Sequence, residues 1–166
     1  EVLAARLSGL GTVGKNGLLI NREYGSYVFI AEIVTDLEIT ASKPEADPCL
    51  ECDLCVKACP AGAIANGKIA QERCLSYITQ KKGILTDGEQ ELIRKSKIVW
   101  GCDVCSDVCP MNKNTKPTDI KEFREDLVFT VEYPQNNKEI EKRAFGFRGA
   151  QVIRRNLDLL KQEGNR

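Results

Sequence analysis

The sequence contains no histidine. That absence removes Rieske-type ligation, histidine-ligated zinc, and Ser–His or Cys–His nucleophilic dyads from this chain. Any proton donor must then be Asp, Glu, Tyr, Lys or water. No apolar run is long enough to span a membrane. The formal charge shows no excess of either sign, with 24 Lys and Arg against 24 Asp and Glu. No secretory signal peptide is read at the start, which argues against a disulfide framework. The 166 residues suffice for one domain with a real core, or a core plus a lobe.

What the chain does have is eight cysteines. Cys49, Cys52, Cys55 and Cys59 form C-x2-C-x2-C-x3-C, followed by Pro60. Cys102, Cys105 and Cys109 form C-x2-C-x3-C, followed by Pro110, and Cys74 stands between the two runs. The first run is the bacterial ferredoxin pattern for a [4Fe-4S] cluster, and its fourth cysteine serves the other cluster of a pair. Two cubanes need the eight thiolates that the chain supplies. A full second run would carry a further cysteine at position 99, where Val99 stands, so Cys74 is the candidate for the missing ligand. The crossed assignment that follows gives cluster 1 to Cys49, Cys52, Cys55 and Cys109. Cluster 2 takes Cys59, Cys74, Cys102 and Cys105. Two all-cysteine zinc sites are the alternative, although such sites usually come as separate C-x2-C pairs. The loops that hold clusters have little core of their own, so metal binding also contributes to folding.

Along the chain, residues 1–10 read as the end of a helix, with Val2, Leu3, Leu7 and Leu10 apolar and Gly9 and Gly11 offering a stop. An uncapped helix starting at Glu1, with no initial Met, leads us to expect a piece of a longer protein. The glycine-rich stretch 11–17 is a turn leading into a strand at Leu18–Asn21. After a further turn, Ser26–Thr35 reads as a longer strand rich in Tyr, Val, Phe and Ile. Lys43–Pro48 is a linker. Helical segments are expected at Leu54–Ala58, at Gln71–Lys82 carrying Cys74, and at Asp87–Lys97 with Asp87 as N-cap. Lys113–Thr118 is a loop, and Gln151–Gln162 a C-terminal amphipathic helix with Val152, Ile153, Leu157, Leu159 and Leu160 on its apolar side. The fold class is α+β: a short β-hairpin or sheet segment, a ferredoxin-like double-cluster domain and a C-terminal helical segment.

Gly11-x-x-Gly14-Lys15-Asn16 fits neither a Walker nor a Rossmann fingerprint. It reads either as a simple turn or as a backbone loop that approaches a bulky ligand, with Lys15 and Asn16 making polar contacts. From Lys138 to Arg166 there are eight Lys or Arg against four Asp or Glu, with Phe145 and Phe147 set among Arg143 and Arg148. That pattern suits either a solvated amphipathic helix or contact with phosphates and bases. Lys81 and Lys82 are open to both readings as well.

Several segments together resemble the tRNA epoxyqueuosine reductase family. They are LAARLSGLGTVGKNGLLI at 3–20, YGSYVFIAEIVTDLEI at 24–39, CLECDLCVKACPAGAI at 49–64, RCLSYITQKKG at 73–83, WGCDVCSDVCPMNK at 100–113 and FGFRGAQVIRRN at 145–156. The likeness covers nearly the whole chain and extends to the related corrinoid reductive dehalogenases, but GKNG at 14–17 and SYITQKKG at 76–83 favour the tRNA enzyme. It departs from the family where Cys-Pro-Trp-Asn reads Cys109-Pro110-Met111-Asn112.

The resemblance implies an oxidoreductase in which two [4Fe-4S] clusters pass electrons to cobalamin, for reduction of epoxyqueuosine to queuosine in tRNA. It implies three regions. Residues 1–42 would be the end of a cobalamin-binding α/β domain, 43–118 the double-cluster domain, and 119–166 a basic helical segment. Lys15, Asn16, Ser76, Cys102 and Asp103 would lie near the corrinoid, and Lys81 and Lys82 would contact tRNA. The family's catalytic Asp would lie upstream of Glu1. Expected partners are epoxyqueuosine-containing tRNA and a flavodoxin- or ferredoxin-type electron donor, for a cytoplasmic monomer with no membrane association. A stand-alone two-cluster electron carrier and a dehalogenase relative are the competing functions.

Overall fold

The computed structural model describes residues 1–43, 49–132 and 136–161. In chain order the elements are α1 (Val2–Leu7), β1 (Thr12–Val13), β2 (Leu19–Ile20), α2 (Leu54–Ala58), β3 (Ile64–Ala65), β4 (Lys68–Ile69), α3 (Leu75–Gln80), α4 (Asp87–Ser96), α5 (Val104–Asp107), α6 (Asn137–Glu141) and α7 (Ala150–Lys161). Short 3-10 turns lie between several of them. The chain packs as two compact units, Glu1–Ile69 with Val104–Asp119, and Ala70–Asp103 with Ile120–Arg166.

In the first unit, β1 and β2 form an antiparallel hairpin with Thr12 opposite Ile20 and Val13 opposite Leu19. Gly14 sits in its turn because a Cβ there would lie 2.6 Å from Ile20 Cδ1 and 2.8 Å from Asn16 Oδ1. α1 packs on this hairpin. A second hairpin pairs β3 with β4 across Asn66-Gly67, both left-handed as a tight two-residue turn requires. Asn-Gly is itself a hairpin signal at the level of sequence.

The long strand expected at Ser26–Thr35 is not formed. Residues 27–35 pair with no strand among the described residues, and Phe29 is 90% and Val34 100% exposed. Both faces of this stretch are apolar, and such a run becomes a strand only where neighbours supply hydrogen bonds on its edges. At its start Asn112 holds the chain down. Its Oδ1 accepts from Ser26 N–H at 2.8 Å, and its Nδ2 donates to Ser26 Oγ and the Ser106 carbonyl, both at 2.8 Å. Gly25 (φ +60°) precedes this contact, and a Cβ there would collide with Asn112 Oδ1.

The second unit is helical. Leu75, Ile78, Leu85, Ile93 and Leu159 form one apolar cluster, and Ile140, Ala150, Ile153 and Leu157 another. α7 contributes to both and packs against α3, α4 and α6. Two expectations need correcting here. The helix foreseen at Gln71–Lys82 is a 3-10 turn (Gln71–Arg73) and then α3, because Cys74 adopts extended angles (φ −66°, ψ 124°) and caps the second piece. The N-cap of α4 is Thr86, not Asp87. Thr86 Oγ1 accepts from Glu89 N–H at 3.3 Å, and the Glu89 carboxylate accepts from Thr86 N–H at 2.8 Å, a reciprocal capping box. α7 runs Ala150–Lys161, one residue earlier than expected at its start; the linker residues 44–48 and Gln162 lie outside the described residues.

Candidate metal centre

The two cysteine runs build matching local structures. In the first, Glu51 and Asp53 are left-handed (φ 50° and 57°) and lead into α2; in the second, Gly101 is left-handed (φ 65°) and α5 follows. Glu51 and Gly101 each stand immediately before a cysteine, Cys52 and Cys102. Left-handed turns at these points bend the backbone so that thiols from a short loop face one way and amides turn inward. α2 packs against α5 within the first unit.

Cys49, Cys52, Cys55 and Cys109 all belong to the first unit and line a single cavity. Ile20, Leu54 and Met111 give it apolar walls, and Lys15 and Asn16 stand at it. None of the eight cysteines forms a disulfide. Burial pushes the Cys55 thiol above its ordinary range, and the neighbouring Cys49 and Cys109 push it further. Four mutually repelling thiolates gathered in an apolar cavity are stable only with cationic metal among them. The four thiols ring a cavity, and no three His, Cys, Asp or Glu side chains among the described residues are grouped for a single metal ion. These residues fit a [4Fe-4S] cluster, which takes one thiolate at each of four irons.

Of the second expected set, Cys59 and Cys105 lie in the first unit and Cys74 and Cys102 in the second. Cys59 ends α2, and its Sγ accepts from Ala63 N–H at 3.3 Å. Cys105 lies within α5, Cys74 caps α3, and Cys102 packs against the cluster built on Leu75 and Ile93.

Lys15 Nζ lies 2.8 Å from Asp53 Oδ1, and this hydrogen bond holds the ammonium above its ordinary range. Asn16 is 2% exposed, and its Oδ1 accepts from Leu18 N–H at 3.3 Å. Ser76, on α3, accepts from Gln80 Nε2 at 3.3 Å, and Asp103 is exposed. Lys81 is committed to Glu89, Nζ to Oε1 at 2.8 Å. Lys82 instead lines a groove with Arg148, Gln151 and Arg155. Arg155 braces the groove floor, donating to the Lys81 and Gly83 carbonyls at 2.7 and 2.8 Å. Phe147 meets Trp100 edge-on at 5.7 Å and carries the Arg148 guanidinium 5.0 Å above its ring. Arg143 pairs with Asp126 at 2.7 Å and is not part of the groove.

Residues 48–112, which include all eight cysteines, match the 4Fe-4S double cluster binding domain, a class that the cavity and loops suit. Within that class the chain is a relative of the epoxyqueuosine reductases and matches their iron–sulfur portion. It is 44% identical over 114 residues to the epoxyqueuosine reductase of Lactococcus garvieae (strain Lg2), covering 68% of this chain and 32% of that protein. It is 41% identical over 110 residues to that of Bacillus subtilis (strain 168), covering 66% and 28%. A crystal structure of selenomethionine-labelled epoxyqueuosine reductase superposes with a TM-score of 0.82 at 32% identity, over 96% of this chain and 44% of that one. An epoxyqueuosine reductase solved with an epoxyqueuosine-modified tRNA-Tyr stem loop gives 0.81 at 31% identity, with the same coverage. The chain spans about a third of the length of the curated relatives it matches.

Proposed function

We propose that this chain works as the iron–sulfur portion of an epoxyqueuosine reductase. The observation that carries the reading is the four-thiol cavity in a fold that superposes on such enzymes over nearly all its length. When bound, the two clusters supply single electrons, and a cobalamin would be the centre that receives them for removal of the epoxide oxygen. The rest is the work of the chain's own residues. Cys49, Cys52, Cys55 and Cys109 hold cluster 1, and Cys59, Cys74, Cys102 and Cys105 hold cluster 2. Ile20, Leu54 and Met111 supply apolar walls beside the first cluster. Ser76, Cys102 and Asp103 are the candidates for the cobalamin side.

For RNA, the groove favours Lys82 with Arg148 over Lys81, whose charge is already met by Glu89. A guanidinium lying on an exposed phenyl ring can face a phosphate while the ring stacks on a base. The reading also takes a flavodoxin- or ferredoxin-type donor, a cytoplasmic setting and a monomeric enzyme. No helix among the described residues is long and apolar enough to cross a membrane.

The test is to assay the full-length protein, with cobalamin and a low-potential reductant, on tRNA carrying epoxyqueuosine. Conversion to queuosine is expected. Absence of turnover together with dehalogenation of a test organohalide would transfer the assignment to the dehalogenase relatives.

A further inference from the structure

One residue lining the cavity of the first cluster, Asn16, has a polar atom that nothing among the described residues satisfies. Asn16 Nδ2 is buried and has no hydrogen-bond partner among the described residues. The amide's orientation is set from its other side, because Oδ1 accepts from Leu18 N–H at 3.3 Å. That bond identifies the unpartnered atom as the nitrogen, which carries two N–H donors. The missing Cβ of Gly14 leaves room for the oxygen, since a methyl there would sit 2.8 Å from Oδ1. Hairpin register, turn and glycine thus combine to hold one amide group in one place.

A buried donor left unmade is costly, and native proteins rarely keep one without a reason. Apart from the Asp53 carboxylate, which is engaged by Lys15, the side-chain acceptors lining this cavity are sulfurs, from the thiols of Cys49, Cys52, Cys55 and Cys109 and the thioether of Met111. The other side-chain N–H donor at the cavity, Lys15, is spent on Asp53 Oδ1 at 2.8 Å. We propose that Asn16 Nδ2 donates an N–H···S hydrogen bond to a sulfur of the cluster held by these four cysteines, and so raises its reduction potential. The inference rests on that site holding a [4Fe-4S] cluster, but not on the substrate or on the identity of the electron acceptor.

The direction follows from charge. Reduction adds one negative charge to the cluster, and an N–H donor stabilises the more negative state more. Removing the donor makes the cluster harder to reduce. Asn16→Leu keeps the volume and removes both N–H groups, and it also removes an acceptor from Leu18. Asn16 therefore acts as a tuning residue, distinct from the ligands.

The experiment is an anaerobic redox titration of the holoprotein followed by EPR, wild type against Asn16→Leu, with iron and labile sulfide measured in both. The expected result is unchanged cluster content and a reduction equilibrium of the first cluster shifted about tenfold toward the oxidised form, which is about 59 mV for a one-electron couple. The second cluster serves as internal control and keeps its potential. A variant that retains the cluster with an unmoved potential overturns the proposal and leaves the nitrogen to a water. Should Asn16→Leu fail to fold, pulsed EPR of the reduced wild-type protein with 15N only in asparagine side-chain amides decides the matter. A resolved 15N coupling to the cluster supports the bond, and its absence overturns it. Asn112 does not confuse this readout, because its Nδ2 is already given to Ser26 Oγ and the Ser106 carbonyl. A protein without iron at this site would overturn the cluster reading itself, and the iron assay separates that failure from failure of the hydrogen bond.

Discussion

Asn156 makes four side-chain hydrogen bonds within the helical unit. It is 0% exposed, on the inner face of α7. Its Nδ2 donates to the carbonyls of Thr79 and Val99, each at 2.8 Å, and its Oδ1 accepts from Arg155 Nη2 at 2.9 Å and Nε at 3.0 Å. One amide thus ties α7 to the end of α3 and to the backbone just ahead of Trp100. Asn156→Leu has the right volume but strands two carbonyls and part of a guanidinium. We expect it to destabilise the protein by about 3 kcal/mol, read as a lowered denaturation midpoint at unchanged cluster content. Its spacing from Val152, Ile153 and Leu160 places it on the apolar face of the helix, so its burial was legible in the sequence, but its partners were not. What it bonds to is set by carbonyls far away in the chain, which no local pattern records.

At the scale of elements, α4 shows how a local signal and a tertiary contact combine. Thr86 and Glu89 cap its start reciprocally, and Lys81 joins from outside the helix at 2.8 Å. Burial raises the Glu89 pKa, but hydrogen bonds from Lys81 and Thr86 outweigh it, and the net result lies below the ordinary value of 4.5. A carboxyl whose folded pKa is depressed stabilises the fold above its unfolded value, and that contribution is lost as pH falls through the folded value. Glu89→Gln should therefore melt below wild type at pH 7, and the gap should close as the pH falls below 4.5. Both proteins carry the same clusters, so the difference in melting temperature isolates this group. The capping box was legible as Thr86-x-x-Glu89 in the sequence, and the hairpin at β3–β4 as Asn66-Gly67. The unformed strand at 26–35 is the opposite case: its composition favours extended backbone, but pairing depends on edges that composition does not reveal.

For the whole molecule, the expectation is about eight irons and eight labile sulfides per chain after anaerobic purification, four of each per cubane. Under the crossed ligand set, Cys109→Ala disturbs the first cluster and Cys74→Ala the second, each halving the iron content while the other EPR signal persists. Retention of both clusters in Cys74→Ala would dissolve the crossed set. The basic groove makes its own prediction. If the proposed function holds, Lys82→Glu with Arg148→Glu should weaken binding of the full-length protein to epoxyqueuosine-containing tRNA. The salt dependence should also become shallower, by about one unit of slope for each phosphate that is no longer neutralised. Lys81→Gln, by contrast, should act mainly on stability, because Lys81 answers to Glu89.

The sequence by itself pointed to the chemistry: eight cysteines at ligand spacing and no histidine to compete. Ligand spacing is a local property, because a short loop can direct its own thiols to one metal cluster. Only the tertiary structure decided the surroundings of those thiols. It brought Cys109 to the cavity of Cys49, Cys52 and Cys55, turned Lys15 to Asp53, and left Asn16 Nδ2 buried at the same cavity with no protein acceptor among the described residues. Burial and hydrogen-bond partnership depend on which distant residues arrive, and that is settled by packing rather than by spacing.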